Sequence, residues 1–494
     1  MADHNHLRSA QGEKSGLAWW MARVPKEAAR VLRKDFEADA VHDLRVALRR
    51  CRSLADGVMD LDPDPAWKAM RKAASKLFKP LGELRDTQVA MGWLRQLASA
   101  DDPVREKMLE LLASRVEEAK AAAGRALERF DRAQWKQWAR VLPGHSRRIP
   151  PGGLAFRHIA LERWNEAWRL HRRATRSRSQ AALHELRIGV KKFRYSVENF
   201  LPALHEEIGA GLKRVQDLLG EVHDLDVLLP RLREAGKVYD AAARKRWRAT
   251  VQRARTERVA EYRALTRGEG SLWPLWRAKL PTGAELESAA LAKLRVWASF
   301  LDPDFRRARR LSELAVQLFD GMAEASVNGV FDQAAARRIV RAGALLGNIG
   351  RAEGHRGHHK ASYRLIRAFP PPLGWTAADM LRTALVARYH RGTEPSEDHE
   401  GFALLAPDER RAVTWMAAVV RLADALVGDP HGEASRVRVE SSGGIHIWAD
   451  GYTADPDWAV RVLEKQRLLE TVSGRPVFVR PVQAPMLKAR AAAG

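Results

Sequence analysis

At 494 residues with 46% apolar side chains, the chain exceeds what one hydrophobic core organises, so two or three domains are expected. Its 85 Lys and Arg against 61 Asp and Glu, net +24, call for a polyanionic partner without fixing a fold. One cysteine, Cys51, excludes an internal disulfide, and no run of 18 apolar residues suggests a membrane span.

The N-terminal MADHNHLRSAQGEKSG is polar and lacks the apolar stretch of a signal peptide, so the expectation is a cytoplasmic protein. From Leu17 to about Arg140 the text reads as successive helices, rich in Ala, Leu, Arg, Glu and Lys at 3.6-residue spacing. Asp62-Pro63-Asp64-Pro65 and Asp102-Pro103 mark breaks, and PGHSRRIPPGG (143–153) reads as a linker. Helical text resumes from about Leu154 to Leu265 and breaks again at Gly268, Gly270 and Pro274, with 271–300 read as a second linker. A further helical region follows to about residue 430. From Arg436 the short runs VRVE, GIHIWAD and PVFVRPV, around a helical stretch from Asp457 to Val472, predict a small α+β tail over 431–494. The positive charge is uneven: residues 1–300 carry 58 basic and 38 acidic side chains, residues 301–494 carry 27 and 23. The polyanion site therefore belongs to the first part.

Two segments recur. HDLRVALRRCR (42–52) returns as HELRIGVKKFR (184–194), and LGELRDTQV (81–89) returns as LGEVHDLDV (219–227), at offsets of 142 and 138 residues. Two segments repeating in the same order at nearly one distance mark tandem copies of one helical unit, about 16–140 and 154–265.

On a helix, His42, Arg45, Arg49 and Arg52 fall at offsets 0, 3, 7 and 10, inside an arc of roughly 80°. His184, Arg187, Lys191 and Arg194 take the same offsets in the second copy, with Arg50 and Lys192 flanking the two stripes. The opposite sides are apolar: Leu44, Leu48, Cys51 and Ala55, then Leu186, Val190, Phe193 and Val197. A solvated face would interleave carboxylates at i+4 to relieve repulsion, and these stripes hold none. Rows of cations at one-turn spacing suit a chain of phosphates, since Arg forks onto two oxygens and Lys supplies a mobile point charge. The histidines, ordinarily titrating near pH 6.5, should strengthen such binding as pH falls. Lys68, Lys72, Lys76 and Lys79 share one face of a later helix, followed by Arg85, while Lys213, Arg214 and His223 stand in the aligned second segment; all are candidates for the same surface. Asp86 and Asp224 also repeat and are read as orienting partners for a His or Arg, because a carboxylate would repel phosphate.

These paired motifs resemble the CHAD domain, the resemblance covering about 16–270. It implies two tandem pseudo-symmetric four-helix bundles whose basic helices line a central groove for inorganic polyphosphate. The motif residues it carries over are His42, Arg45, Arg49, Arg50 and Arg52, then His184, Arg187, Lys191, Lys192 and Arg194. The helices holding His42 and His184 are expected side by side, with their rows facing one groove.

Residues 301–430 resemble the helical HD-type domain at the C-terminal end of exopolyphosphatases and guanosine pentaphosphate phosphatases, through ELAVQLFD, AGALLGNIG, GHHKASYRLI, VARYHRG and RLADAL. Where an active HD site has His-Asp, this chain has Gly347-Asn348; the upstream His position is Arg307, and of the ligands Asp424 remains. No catalytic metal, cofactor or enzymatic activity is therefore expected. His358, His359, Lys360, Arg388 and His390 are candidates for secondary phosphate contacts. The overall expectation is a mainly α, non-catalytic polyphosphate binder, acting at polyphosphate granules or beside polyphosphate-metabolising proteins and not at a membrane. The alternatives are a phosphohydrolase using the HD-like domain, and a nucleic-acid binder. Of the 16 Trp, those at 19, 20, 164 and 168 read as core, which leaves nucleic acid only a non-specific, electrostatic hold.

Overall fold

The computed structural model of the chain describes residues 16–177, 179–234, 241–327, 332–427, 434–453 and 455–482, with no side-chain description at 232–234. It is mainly α, 76% helical with one small sheet at the C-terminal end. Two compact units divide between Ala289 and Ala290.

The first unit holds α1 (Leu17–Arg33), α2 (Ala38–Val58), α3 (Pro65–Leu97), α4 (Pro103–Glu128) and α5 (Arg132–Arg147), then α6 (Leu154–Ser177), α7 (Gln180–Phe200), α8 (Pro202–Glu234), α9 (Ala241–Thr266) and α10 (Leu272–Ala278). The duplication is visible in helix lengths: α2 and α7 have 21 residues each, α3 and α8 have 33, α4 and α9 have 26. The Asp-Pro breaks become helix starts. Asp64 and Asp102 cap α3 and α4 by accepting from backbone N–H groups, each followed by a proline at the first helical position, where its missing donor costs nothing.

In the first copy α1, α2, α3 and α5 close a four-membered bundle, and α4 packs outside on α3. In the second, α6, α7, α8 and α9 are closed by α10, which packs on both α6 and α9. Both linker expectations therefore need correction. Pro143 lies inside α5, and the break is confined to 148–153. Residues 271–300 are α10 followed by α11 (Gly283–Leu301), and α10 is the counterpart of α5. The signal was present: Trp135, Trp138, Leu142 and Pro143 recur as Trp273, Trp276, Leu280 and Pro281, at the same offset of 138. Trp135, Trp273 and Trp276 are fully buried and close the two bundles, which is why this third repeated segment persists.

The apolar sides of α2 and α7 are fully buried as expected, from Leu44 to Ala55 and from Leu186 to Val197. Cys51 is among them, its thiol pushed up by burial, so it serves as core. The tryptophan reading holds for Trp164; Trp19, Trp20 and Trp168 are only half-buried, the first two lying under the Arg23 guanidinium.

The second unit continues with α12 (Phe305–Glu324), α13 (Gln333–Leu346), a 3-10 turn (Ile349–Glu353), α14 (His358–Ala368), α15 (Ala377–Tyr389) and α16 (Pro407–Leu426). Then come β1 (Arg436–Ser441), β2 (Ile445–Asp450), α17 (Pro456–Ser473) and β3 (Val477–Pro481), the three strands falling where the β-type runs placed them. β1 pairs antiparallel with β2, and β2 parallel with β3 across the α17 crossover. The sheet shares one core with α12, α13, α15, α16 and α17.

Candidate functional site

α2 and α7 pack against each other, as do their neighbours α3 and α8, so each repeated helix meets its own counterpart. This brings the two basic stripes together. Lys191 on α7 feels Arg187 on its own helix and Arg49, Arg52 and Arg45 on α2, and burial together with those charges pushes it down to about 8. Arg45 is pushed down to about 10 by burial, with Arg49, Arg85 and Arg52 adding to the effect and Asp86 opposing it. His42, exposed at the start of α2, is lowered by burial of its inner side and by Arg85 and Arg49.

Aromatic rings and carbonyls hold these cations. Arg45 donates to the Phe78 carbonyl at 3.3 Å, and Arg45 and Arg52 lie 4.4 and 4.7 Å from the Phe78 ring centroid. Tyr195 lies under Lys191 and Arg194 at 5.9 and 5.8 Å. Among the described residues no carboxylate ion-pairs with Arg45, Arg49, Arg52, Arg187 or Lys191, and the buried Nε atoms of Arg49 and Arg52 have no hydrogen-bond partner. Arg194 is ion-paired with Glu198 at 3.3 Å, and the same carboxylate takes Arg50 across the pair of helices. Lys192 likewise points away from the stripe to Glu166 at 3.2 Å.

At the other end of the row His184 and His223 face each other, Nδ1 to Nδ1 at 3.2 Å, and burial with Arg187 and His184 pushes His223 down to about 4. The repeated carboxylates occupy equivalent positions: Asp86 faces Arg45, and Asp224 faces Arg187. Burial raises Asp224 to about 6; Asp86 and Glu221 add to that and Arg187 opposes it. They neighbour cations of the row, and among the described residues no ion pair joins either carboxylate to them.

Other candidates separate. Arg85 joins the row through His42 and Arg45. Lys68, Lys72, Lys76 and Lys79 are exposed on α3, but roughly a quarter turn or more round from Phe78, Gly82 and Arg85, which face α2. Lys213 and Arg214 are spent on Asp217 (2.6 Å) and Glu261. Sequence reasoning missed Phe78 and Tyr195, whose positions carry no charge signal.

In the second unit Arg307 is ion-paired with Asp424 Oδ1 at 2.7 Å and donates to the Asp424 carbonyl at 3.1 Å. Burial would raise Asp424, but Arg307 and His390 outweigh it and hold the carboxyl below its ordinary range. Among the described residues no three His, Cys, Asp or Glu side chains converge as a metal ion requires. His358 and His390 are buried, their Nδ1 atoms hydrogen-bonded to the His355 and Ala387 carbonyls at 2.9 and 2.7 Å. Neither faces solvent, in contrast to their reading as phosphate contacts; the packing of α14 on α15 turns both rings inward. His359, Lys360 and Arg388 remain at or near the surface together with Arg391.

The sequence matches the family described as CHAD domain over residues 21–233, and Ppx/GppA phosphatase, domain III over residues 297–468. One similar solved structure is the crystal structure of the CHAD domain from the plant Ricinus communis, 23% identical, covering 54% of this chain and 90% of that one with a TM-score of 0.37. No curated protein matches this chain. Both family matches fall on the units that carry their motifs: residues 21–233 match a CHAD domain and residues 297–468 a Ppx/GppA phosphatase domain III.

Proposed function

We propose that this chain binds inorganic polyphosphate without cleaving it, along the facing stripes of α2 and α7. One observation carries the reading: Lys191 sits among Arg45, Arg49, Arg52 and Arg187, partly withdrawn from water, and among the described residues no carboxylate forms an ion pair with any of the five. Like charges gathered this way cost free energy unless an anion joins them. A linear polymer with a charge on every unit fits a row about 15 Å long better than a single small anion does. The Ppx/GppA part agrees with a polyphosphate-related role, and the Arg307–Asp424 pair argues for a non-catalytic one. His359, Lys360 and Arg388 offer that unit a surface for a secondary phosphate contact. On this reading the protein works at polyphosphate granules or brings polyphosphate-metabolising proteins to the polymer.

The test is polyphosphate affinity against salt concentration. Displaced counterions make log K fall about linearly with log salt, by roughly 0.7 to 0.9 per phosphate neutralised on nucleic acids. Replacing Arg45, Arg49, Lys191 and Arg194 together by Ala should weaken binding and flatten the slope by about 3 units. An unchanged slope would reject the stripes as the site.

A further inference from the structure

α6 carries a second cationic row that the paired stripes do not use. Arg169, Arg172 and Arg176 are exposed, at offsets 0, 3 and 7, the spacing of His42, Arg45 and Arg49 in one stripe and of His184, Arg187 and Lys191 in the other. No ion pair reaches these three among the described residues; their neighbour Arg173 is held by Glu185 at 2.6 Å. Together with the half-buried Trp168, the four arginines line a surface depression of about 660 Å³.

Two observations make this row more than a solvated helix face. First, the duplication supplies a comparison. The buried Leu17, Met21, Val24, Ala28 and Val31 of α1 correspond to the buried Ala160, Trp164, Ala167, His171 and Ala174 of α6 at an offset of 143, so the positions equivalent to 169, 172 and 176 in the first copy are Lys26, Ala29 and Arg33. The first copy lacks the middle cation, and the second alone carries three arginines along this face. Second, the row is turned away from the paired stripes. Gly189 of α7 meets Ala167 and Leu170 of α6, and on α7 that position lies roughly half a turn from the His184–Arg194 stripe. On α6 the arginines in turn point away from Ala167 and Leu170. A strand lying on α6 is therefore a different strand from one held between α2 and α7.

The depression also selects among polyanions. Trp168 is already stacked with Trp164 at 5.8 Å and with His171 at 5.1 Å, and tilted against Trp273 at 5.5 Å. The indole is built into the wall and is no free platform for a nucleobase, so the guanidinium row recognises phosphate alone.

Resting on the reading above, we propose that Arg169, Arg172 and Arg176 form a second polyphosphate track, so that one chain holds two strands and cross-links the polymer. The test uses the full chain on immobilised long-chain polyphosphate, washed, then offered fluorescent soluble polyphosphate. Wild type should be retained and should capture the labelled strand. The Arg169→Ala, Arg172→Ala, Arg176→Ala variant should be retained as well as wild type yet capture about tenfold less, having lost three phosphate contacts. Ala at exposed helix positions keeps the helix. The corresponding triple Lys variant, which keeps the charge, should restore most of the capture. Wild type that is not retained refutes polyphosphate binding itself. Wild type that is retained but captures no second strand refutes the track alone, as does undiminished capture by the Ala variant. Preferential capture of labelled single-stranded RNA through these arginines would overturn the choice of ligand.

Discussion

Lys191 is the residue whose chemistry is most altered by the meeting of the two copies. Burial and four neighbouring guanidinium groups bring it down to about 8, so in the free protein it loses its charge across the mildly alkaline range. Phosphate beside it favours the charged form. Binding should therefore take up a proton near pH 8, and affinity should fall as pH rises from about 7 to 9. Lys191→Arg, which stays charged, should bind with little pH dependence in that range; calorimetry in buffers of different ionisation enthalpy reads the proton directly, and an equal pH response in the variant would contradict the assignment. The linkage has a stability counterpart. The folded value lies below the ordinary 10.5, so between the two the unfolded chain binds more protons and the free protein gains stability as pH rises from about 8. His42 and His223 contribute less near neutrality than their ordinary value promises, because burial with Arg85 and Arg49 lowers His42, and His223 lies near 4.

At the scale of elements, what the sequence made legible is what repeats with charge or with strict apolar spacing. The stripes of α2 and α7, the duplication, the Asp-Pro helix starts and the three short strands could all be read directly. The closing helix α10 was hidden because its repeat is carried by two tryptophans and a Leu-Pro pair, inside text whose glycines and Pro274 read as a linker. Pro274 is tolerated because it falls in the first turn of α10, where no intrahelical N–H is needed. Which cations stay unpaired was illegible as well: Lys213 reaches one turn along its own helix, but Arg50, Lys192 and Arg214 find carboxylates on other helices, at separations only the packing reveals. The run AGALLGNIG shows the same limit, since its last glycine is set by tertiary contact. A Cβ at Gly350 would lie 2.1 Å from the His358 carbonyl oxygen and 2.5 Å from the Ser362 nitrogen, both backbone atoms that cannot step aside. Gly350→Ala should thus destabilise the second unit by roughly 1–3 kcal/mol or more. A lowered unfolding transition with polyphosphate affinity unchanged is the expected result; an unshifted melting curve would show that the 3-10 turn yields.

On the scale of the whole molecule, charge and chemistry are divided unequally between the units. Residues 1–300 carry most of the net +24, while inside the second unit Arg307 is ion-paired with Asp424, and Ser362 accepts from the Gly350 N–H at 2.9 Å and donates to the Gly347 carbonyl at 2.7 Å. Hydrolysis of a phosphoanhydride at such a site would need a metal-bound or base-activated water. The carboxylate that could hold a metal is bound by a guanidinium, and position 347, facing His390 at 3.2 Å from a notional Cβ, has no side chain to offer as a ligand. Purified protein incubated with polyphosphate and magnesium, manganese or zinc should therefore release no inorganic phosphate. Freeing the carboxylate alone should not restore turnover, because Arg307→Ala removes the competing cation without supplying the missing ligands. Steady, metal-dependent release that disappears in Asp424→Asn would overturn the non-catalytic reading while leaving the paired stripes of α2 and α7 to be judged by their own salt dependence.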